Sequence, residues 1–207
     1  MDLKVYSSTA PIAGLVLAHG AGAGQMSPFM VRAAEELASR RITTATFDFP
    51  YMVAGRSVPD RAPVLEDAWR TAIQNARPLL PSLPLFIGGK SMGGRMASHV
   101  AAAGVERIAG LVFLGYPLHP PGKPAQRRDA HLPGITEPML FVQGSADTFG
   151  TGPEIGALLP SLEHATLHEI AGGDHSFRVP GGKARQEPAF QEVMNAVSAW
   201  IESLIRG

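Results

Sequence analysis

The sequence predicts an α/β fold, a mostly parallel, doubly wound sheet with helices on both faces. Three observations predict it. Short, near-continuous apolar runs recur along the chain, as strands covered on both faces require. Longer stretches with helical periodicity separate them, so each strand is followed by a crossover, as in repeated β-α-β units. The 23 glycines and 18 prolines of the 207 residues are scattered between these runs as turn punctuation and do not gather into one biased tract.

Taken in order, residues 1–8 are a candidate edge strand. The apolar runs 12–18, 43–49, 83–88, 108–115 and 138–143 are the central strands, and 165–170, which alternates more, is the last. Helices fit between them at 28–39, 64–76, 92–103 and 187–205, the first ending where Ser39, Arg40 and Arg41 precede a strand. With no internal repeat and no dividing linker, residues 1–207 are expected to form a single domain. The segment 116–138 is the clearest change in composition. It holds Pro117, Pro120, Pro121, Pro124, Pro133 and Pro138 with a Lys123, Arg127, Arg128 cluster, and so predicts an irregular surface loop. Such a loop is either a plain crossover riding over the sheet or a rim of the functional site. It is too short to be a helical lid domain.

Composition excludes several function classes. There is no cysteine, so there is no disulfide framework, no thiolate-zinc or iron-sulfur site and no cysteine nucleophile. Any metal would need His, Asp or Glu ligands, and none is expected. With 18 basic and 18 acidic groups, the chain has no net basic field to neutralise a phosphate backbone, and nucleic acid is excluded as a partner. The apolar stretch 10–18 imitates a signal peptide, but Asp2 sits beside Lys4, Pro11 and Gly14 break the core, and His19 stands where small residues belong. No run approaches the roughly 18 to 20 apolar residues of a membrane helix. A cytoplasmic protein without a membrane partner is expected.

The strongest chemical signal is Gly89-Lys90-Ser91-Met92-Gly93-Gly94, between the strand 83–88 and the helix 92–103. A serine on a sharp strand-to-helix turn needs neighbours without side chains, because Cβ atoms there collide with adjacent strands. Such a turn points Ser91 Oγ outward and aims the Met92 N–H, at a helix N-terminus, toward developing negative charge. Gly89-Lys90-Ser91 could also end a phosphate-binding loop. That pattern needs a glycine five positions before Gly89, where Pro84 stands inside the strand, so no loop remains to wrap a phosphate.

A nucleophilic serine needs a base and an orienting acid, which in a doubly wound hydrolase follow in the order acid, then histidine. Asp147, in Gly144-Ser145-Ala146-Asp147, follows a strand at its carboxyl end. His175, in Gly173-Asp174-His175-Ser176-Phe177, follows the last strand. Among the rivals, His99 lies two helical turns past Ser91, His119 and His131 precede Asp147, and His164 and His168 fall in or at a strand. Asp174 and Asp129 stay open as alternative acids. For a second oxyanion-hole N–H, Ala18-His19-Gly20-Ala21-Gly22-Ala23-Gly24 offers Ala21 first and Gly22 second, with His19 ordering the loop.

Together Ala18-His19-Gly20, Gly89-Lys90-Ser91-Met92-Gly93-Gly94, Asp147 and His175 resemble the α/β-hydrolase superfamily over most of the chain. The elbow ending at Arg95, with Gln143-Gly144-Ser145-Ala146-Asp147 and Gly173-Asp174-His175-Ser176-Phe177, is similar to a compact, lidless branch often grouped with dienelactone hydrolases. The resemblance implies the α/β-hydrolase fold without a lid, a Ser91, His175, Asp147 triad, and hydrolysis of an ester or related acyl bond without a cofactor. Dienelactone hydrolases commonly use a cysteine nucleophile, which this chain lacks, so lactone hydrolysis does not carry over. The same branch is also similar to hydrolase-like subunits of larger assemblies, which leaves a non-catalytic interaction protein as the alternative function.

For the substrate, Gly22, Phe29, Met30, Tyr51, Met52, Phe149 and Phe177 are candidates to line a small apolar pocket beside the serine, and the apolar ones are equally candidates for the core. A small, soluble acyl compound is expected in it. Lys90 either attracts an anionic substrate or is solvated or ion-paired.

Overall fold

Among the residues that the computed structural model describes, 1–105 and 107–206, seven strands form one sheet in the order β1-β3-β2-β4-β5-β6-β7. They are β1 (Lys4–Tyr6), β2 (Ala13–Ala18), β3 (Ile42–Phe47), β4 (Leu85–Lys90), β5 (Gly110–Leu114), β6 (Met139–Gly144) and β7 (Ala165–Ile170). All pairs are parallel except β1 with β3, so β1 is the edge strand expected at residues 1–8, though shorter. The central strands β2, β3, β5 and β6 are buried along their whole length, which explains their unbroken apolar composition.

The principal helices are α1 (Pro28–Ser39), α3 (Ala62–Ala76), α4 (Met92–Ala102) and α6 (Lys183–Arg206). Side chains on one strand alternate between faces, and two cores result. Val16, Ile87, Phe113 and Phe141 pack with Trp69 of α3 and Met96 and Val100 of α4. Leu15, Leu17, Val112 and Val142 pack on the other face with Leu37 of α1 and Val193, Val197 and Ile201 of α6. Trp69 also ties α3 to α4, its indole N–H donating to Gly93 O at 3.0 Å.

The departures from the predicted elements have local causes. Strand β4 runs on through Gly89 and Lys90, which pair with Ala18 and Leu114, where the glycines suggested a turn. A Cβ on Gly88 would lie 2.0 Å from Val112 O, so its absence serves close strand contact. Helix α6 starts at Lys183, a turn before the predicted 187, with Pro188 inside it at the loss of one ladder hydrogen bond. Two short helices escaped sequence periodicity, α2 (Pro50–Val53) and α5 (Gly152–Gly156), the latter started by a Thr151–Glu154 capping box. The segment 116–138 is irregular as predicted, but its opening, Tyr116–His119, is buried instead of riding on the surface. No described helix is long and apolar enough to cross a membrane.

The order of the strands determines where a site forms. From β2 the chain steps to β3 on one side, then returns to β4 on the other, so α1 and α4 cover opposite faces. The loops leaving β2 and β4 therefore diverge, opening a crevice at the carboxyl ends of these two strands.

Candidate active site

Ser91 caps the N-terminus of α4 with φ 51° and ψ −118°, a left-handed backbone that side chains other than glycine rarely adopt. Its surroundings over-determine this conformation. The Ser91 N–H donates to Leu114 O of β5 at 3.0 Å, and Arg95 N–H closes the first helical turn on Ser91 O at 3.1 Å. A Cβ on Gly93 would stand 2.6 Å from both Ala18 O and His19 O, and one on Gly89 would stand 2.6 Å from Ala18 O. Only glycines let α4 come this close to the end of β2. The serine hydroxyl is thereby lifted out of the sheet to the crevice.

His175 Nε2 lies 2.8 Å from Ser91 Oγ, and its Nδ1 lies 2.7 Å from Asp147 Oδ2. Asp147 is fully buried. A carboxylate there needs hydrogen bonds to offset its lost hydration, and it has them. Phe149 N–H donates to Oδ1 at 2.8 Å, and the Gln143 amide donates to Oδ2 at 2.8 Å. Gln143 is itself held, accepting from Tyr116 N–H at 2.7 Å and donating to Gly150 O at 2.6 Å. With Nδ1–H directed at the carboxylate, the His175 Nε2 lone pair faces the serine hydroxyl.

The loops carrying Asp147 and His175 are joined directly. Ala146 N–H donates to Gly173 O at 2.9 Å, and Gly172 N–H donates to Ser145 Oγ at 2.7 Å. A Cβ on Gly144 would stand 2.1 Å from Gly173 O, so glycine is required at that contact as well. Of the alternative acids, Asp174 turns its carboxylate back on the Ser176 and Arg178 N–H groups, at 2.8 Å each, and shapes the histidine loop. Asp129 pairs with Arg127.

Lys90 points away from the cavity and donates to His175 O. Burial pushes its ammonium down to about 8, while Asp147 and Asp174 pull the other way. Its Nζ also lies 5.3 Å from the Phe177 ring centre. It steadies the histidine loop and is neither solvated nor turned toward a substrate. His19, fully buried, donates from Nδ1 to Gly20 O at 2.8 Å and accepts from Phe49 N–H at Nε2, at 3.2 Å. Burial lowers its pKa, so the neutral ring orders the loop after β2.

Ser91 opens into a cavity of about 270 Å³ lined by Ala21, Met92, Arg95, Arg128 and Phe149, among others. Ala21 and Met92 thus reach the same space as the serine, and the Met92 N–H belongs to the first turn of α4, without an intrahelical acceptor. Phe149 lies against the His175 ring with centroids 4.2 Å apart. The other aromatic candidates are not in this lining. Phe29 and Phe177 stack on each other at 6.3 Å within the core shared by α1 and α6, because this aromatic area is worth more against other side chains than in water. Tyr51 is fully buried against Phe49 and His19, and Met30, on the inner face of α1, is buried in the core. Gly22, at φ 73°, forms an exposed turn with open space around it.

Sequence reasoning missed Gln143, Arg95 and Arg128. Gln143 had a signal, as a polar side chain near the end of an otherwise apolar strand, which must find partners once buried. Arg95 had one too, as a charge one turn beyond Ser91 and on the same side of α4. Arg128 had none, since its position depends on the path of an irregular loop.

The profile of a family described as an alpha/beta hydrolase domain matches residues 11–202. Among solved structures, Est1E from Butyrivibrio proteoclasticus with ferulic acid bound superposes with a TM-score of 0.78 at 14% identity, covering 100% of this chain and 96% of that one. Dienelactone hydrolase from Anabaena variabilis gives 0.74 at 22% identity, covering 97% and 90%. XC6422 from Xanthomonas campestris, described as a serine hydrolase without a lid, gives 0.74 at 20%, covering 96% and 88%. At these identities the likeness is one of fold.

Proposed function

This chain belongs to the family of alpha/beta hydrolase domains, and we propose that it acts as a single-domain serine hydrolase on an ester or related acyl bond of a small substrate. One observation carries the proposal: the hydrogen-bonded chain Asp147–His175–Ser91, ending in a serine on a left-handed turn that faces a cavity.

In the proposed reaction His175 Nε2 takes the Ser91 hydroxyl proton as Oγ attacks the acyl carbonyl carbon. The carbonyl π electrons pass to oxygen, and the Met92 and Ala21 N–H groups bind that oxyanion. Asp147 keeps the imidazole in the tautomer that leaves Nε2 free and stabilises the imidazolium. Collapse of the tetrahedral intermediate expels the alcohol, which receives the proton from His175. A water, deprotonated by the same nitrogen, then attacks the acyl-enzyme and releases the acid. No metal or cofactor takes part in this scheme, and the base must be neutral for it to start.

Support also comes from the buried Asp147, whose four-residue setting of Gln143, Phe149, His175 and the Gly150 carbonyl on Gln143 costs a site with no chemical use more than an apolar packing would. The test is labelling of the purified protein with a fluorophosphonate probe, beside Ser91→Ala. Covalent labelling of the wild type that is lost in Ser91→Ala is expected. A folded wild type that takes up no label overturns the proposal and makes a hydrolase-fold interaction protein the better reading.

A further inference from the structure

We propose that the substrate's acyl part ends in a carboxylate, held by Arg95 and Arg128 on the cavity wall beside Ser91. The proposal deepens the serine-hydrolase reading and rests on it.

Arg95 stands one turn along α4 from Ser91, so its side chain projects from the same side of the helix as the nucleophile. Its Nε is buried with no hydrogen-bond partner, and its guanidinium has no carboxylate within salt-bridge distance among the described residues. Arg128 comes from the irregular segment that follows β5. Its backbone is fixed, the N–H donating to Leu118 O at 2.9 Å and the carbonyl accepting from the buried Tyr116 hydroxyl at 2.7 Å. Both side chains line the cavity that holds Ser91.

The acids around this pair do not reach it as salt-bridge partners among the described residues. Arg128 acts on Arg95 as a like charge, and burial and Arg128 together lower the Arg95 pKa. Glu66, which acts on Arg95 in the opposite sense, is 3.2 Å from His99. His131, packed against His99, is pushed down to about 4 by burial, with His99 and Arg95 adding to it and Asp129 opposing, so it is neutral near pH 7. Asp60 also lines the cavity, with one oxygen 2.7 Å from Arg56 and the other buried without a partner. Arg127 is paired with Asp129 and so does not compete for the same ligand.

Two guanidiniums lining one cavity, neither with a carboxylate in salt-bridge reach among the described residues, are completed by an anion, and their planar N–H forks match a carboxylate's two oxygens. The cavity's roughly 270 Å³ suits an acyl chain of a few carbons between the scissile carbonyl and that carboxylate. The reaction is then hydrolysis of a monoester of a short dicarboxylic acid, with water consumed and the alcohol and free dicarboxylate released.

The test compares monomethyl glutarate with dimethyl glutarate, its uncharged counterpart, by pH-stat titration in wild type, Arg95→Met and Arg128→Met. Wild type is expected to favour the charged ester in kcat/KM by about ten- to a hundredfold, the worth of a hydrogen bond to a charged group. That ratio should fall about tenfold in each variant, and free glutarate should slow fluorophosphonate labelling of wild type. Arg128→Met, on the loop, carries the test if Arg95→Met does not fold. Equal use of the two esters by wild type, or an unchanged ratio in the folded variants, overturns the inference. A protein that labels at Ser91 but shows no carboxylate preference sinks this inference alone, whereas a folded protein that does not label sinks the hydrolase reading beneath it.

Discussion

Ser91 Oγ lies 2.8 Å from His175 Nε2, and seven residues later in the chain Ser98 Oγ lies 2.7 Å from His131 Nε2. Distance does not separate these two serine-histidine pairs, yet their hydrogen bonds run in opposite directions. Ser98 is buried inside α4 and its hydroxyl donates to Arg95 O at 2.7 Å, so the His131 nitrogen must donate to the serine oxygen. Ser91 has its proton free to give, because the far nitrogen of His175 is committed to Asp147. Burial, with His99 and Arg95 as neighbours, disfavours the His131 cation, whereas the far nitrogen of His175 lies 2.7 Å from the Asp147 carboxylate. What distinguishes the two pairs is the direction of the proton and the third group behind the histidine.

The sharpest break in this comparison is to remove one member of each pair in turn. His175→Ala should lower kcat/KM on a short acyl ester by about 10⁴-fold or more, while Ser98→Ala should change it by less than about tenfold. Equal losses would mean that the second pair takes part in the chemistry. Removing the third group alone comes next. Asp147→Asn keeps the shape but turns the imidazole toward the wrong tautomer, and a loss of about 10³- to 10⁴-fold is expected at neutral pH with little change in the circular dichroism spectrum.

A smaller effect tests the backbone side of the contrast. Gly93→Ala forces a methyl to 2.6 Å from two carbonyl oxygens that cannot move without shifting β2. A loss of about 1–3 kcal/mol in urea unfolding is expected, where a helix-interior alanine would ordinarily be favourable. The smallest effect concerns His131. Its folded pKa, about 4, lies below the ordinary value of 6.5, so between these values the unfolded chain binds more protons than the folded one. The stability this group contributes is complete above about 6.5 and is lost as pH falls toward 4. His131→Gln should therefore flatten the decline of unfolding free energy across that window, and an unchanged slope would place the acid sensitivity elsewhere.

Much of the site was legible because its signals are local. Gly89, Gly93 and Gly94 flank Ser91 within one turn of chain, and the need for small residues there follows from backbone sterics alone. Asp147 and His175 were picked out by their places beyond strand ends, and the structure brings both into hydrogen-bond reach of their neighbours. The aromatic candidates show the opposite case. Phe149 reaches the cavity while Phe29, Tyr51 and Phe177, equally plausible in loops after strands, are absorbed into the cores. A phenyl ring carries no mark of which apolar surface it will cover, since hydrophobic burial is non-directional.

The sequence by itself determined the parallel sheet, its helical crossovers, the glycine-flanked turn at Ser91 and the places of Asp147 and His175 beyond strand ends, because periodicity and turn sterics act between residues close in the chain. Tertiary structure alone decided that Lys90 holds the histidine loop, that Gln143 anchors Asp147, and that Arg95 and Arg128 line one cavity. Each of these joins segments far apart in sequence. Their partners are chosen by charge and hydrogen-bond satisfaction in the packed molecule, where burial makes an unmet polar group costly, and no local pattern records that choice.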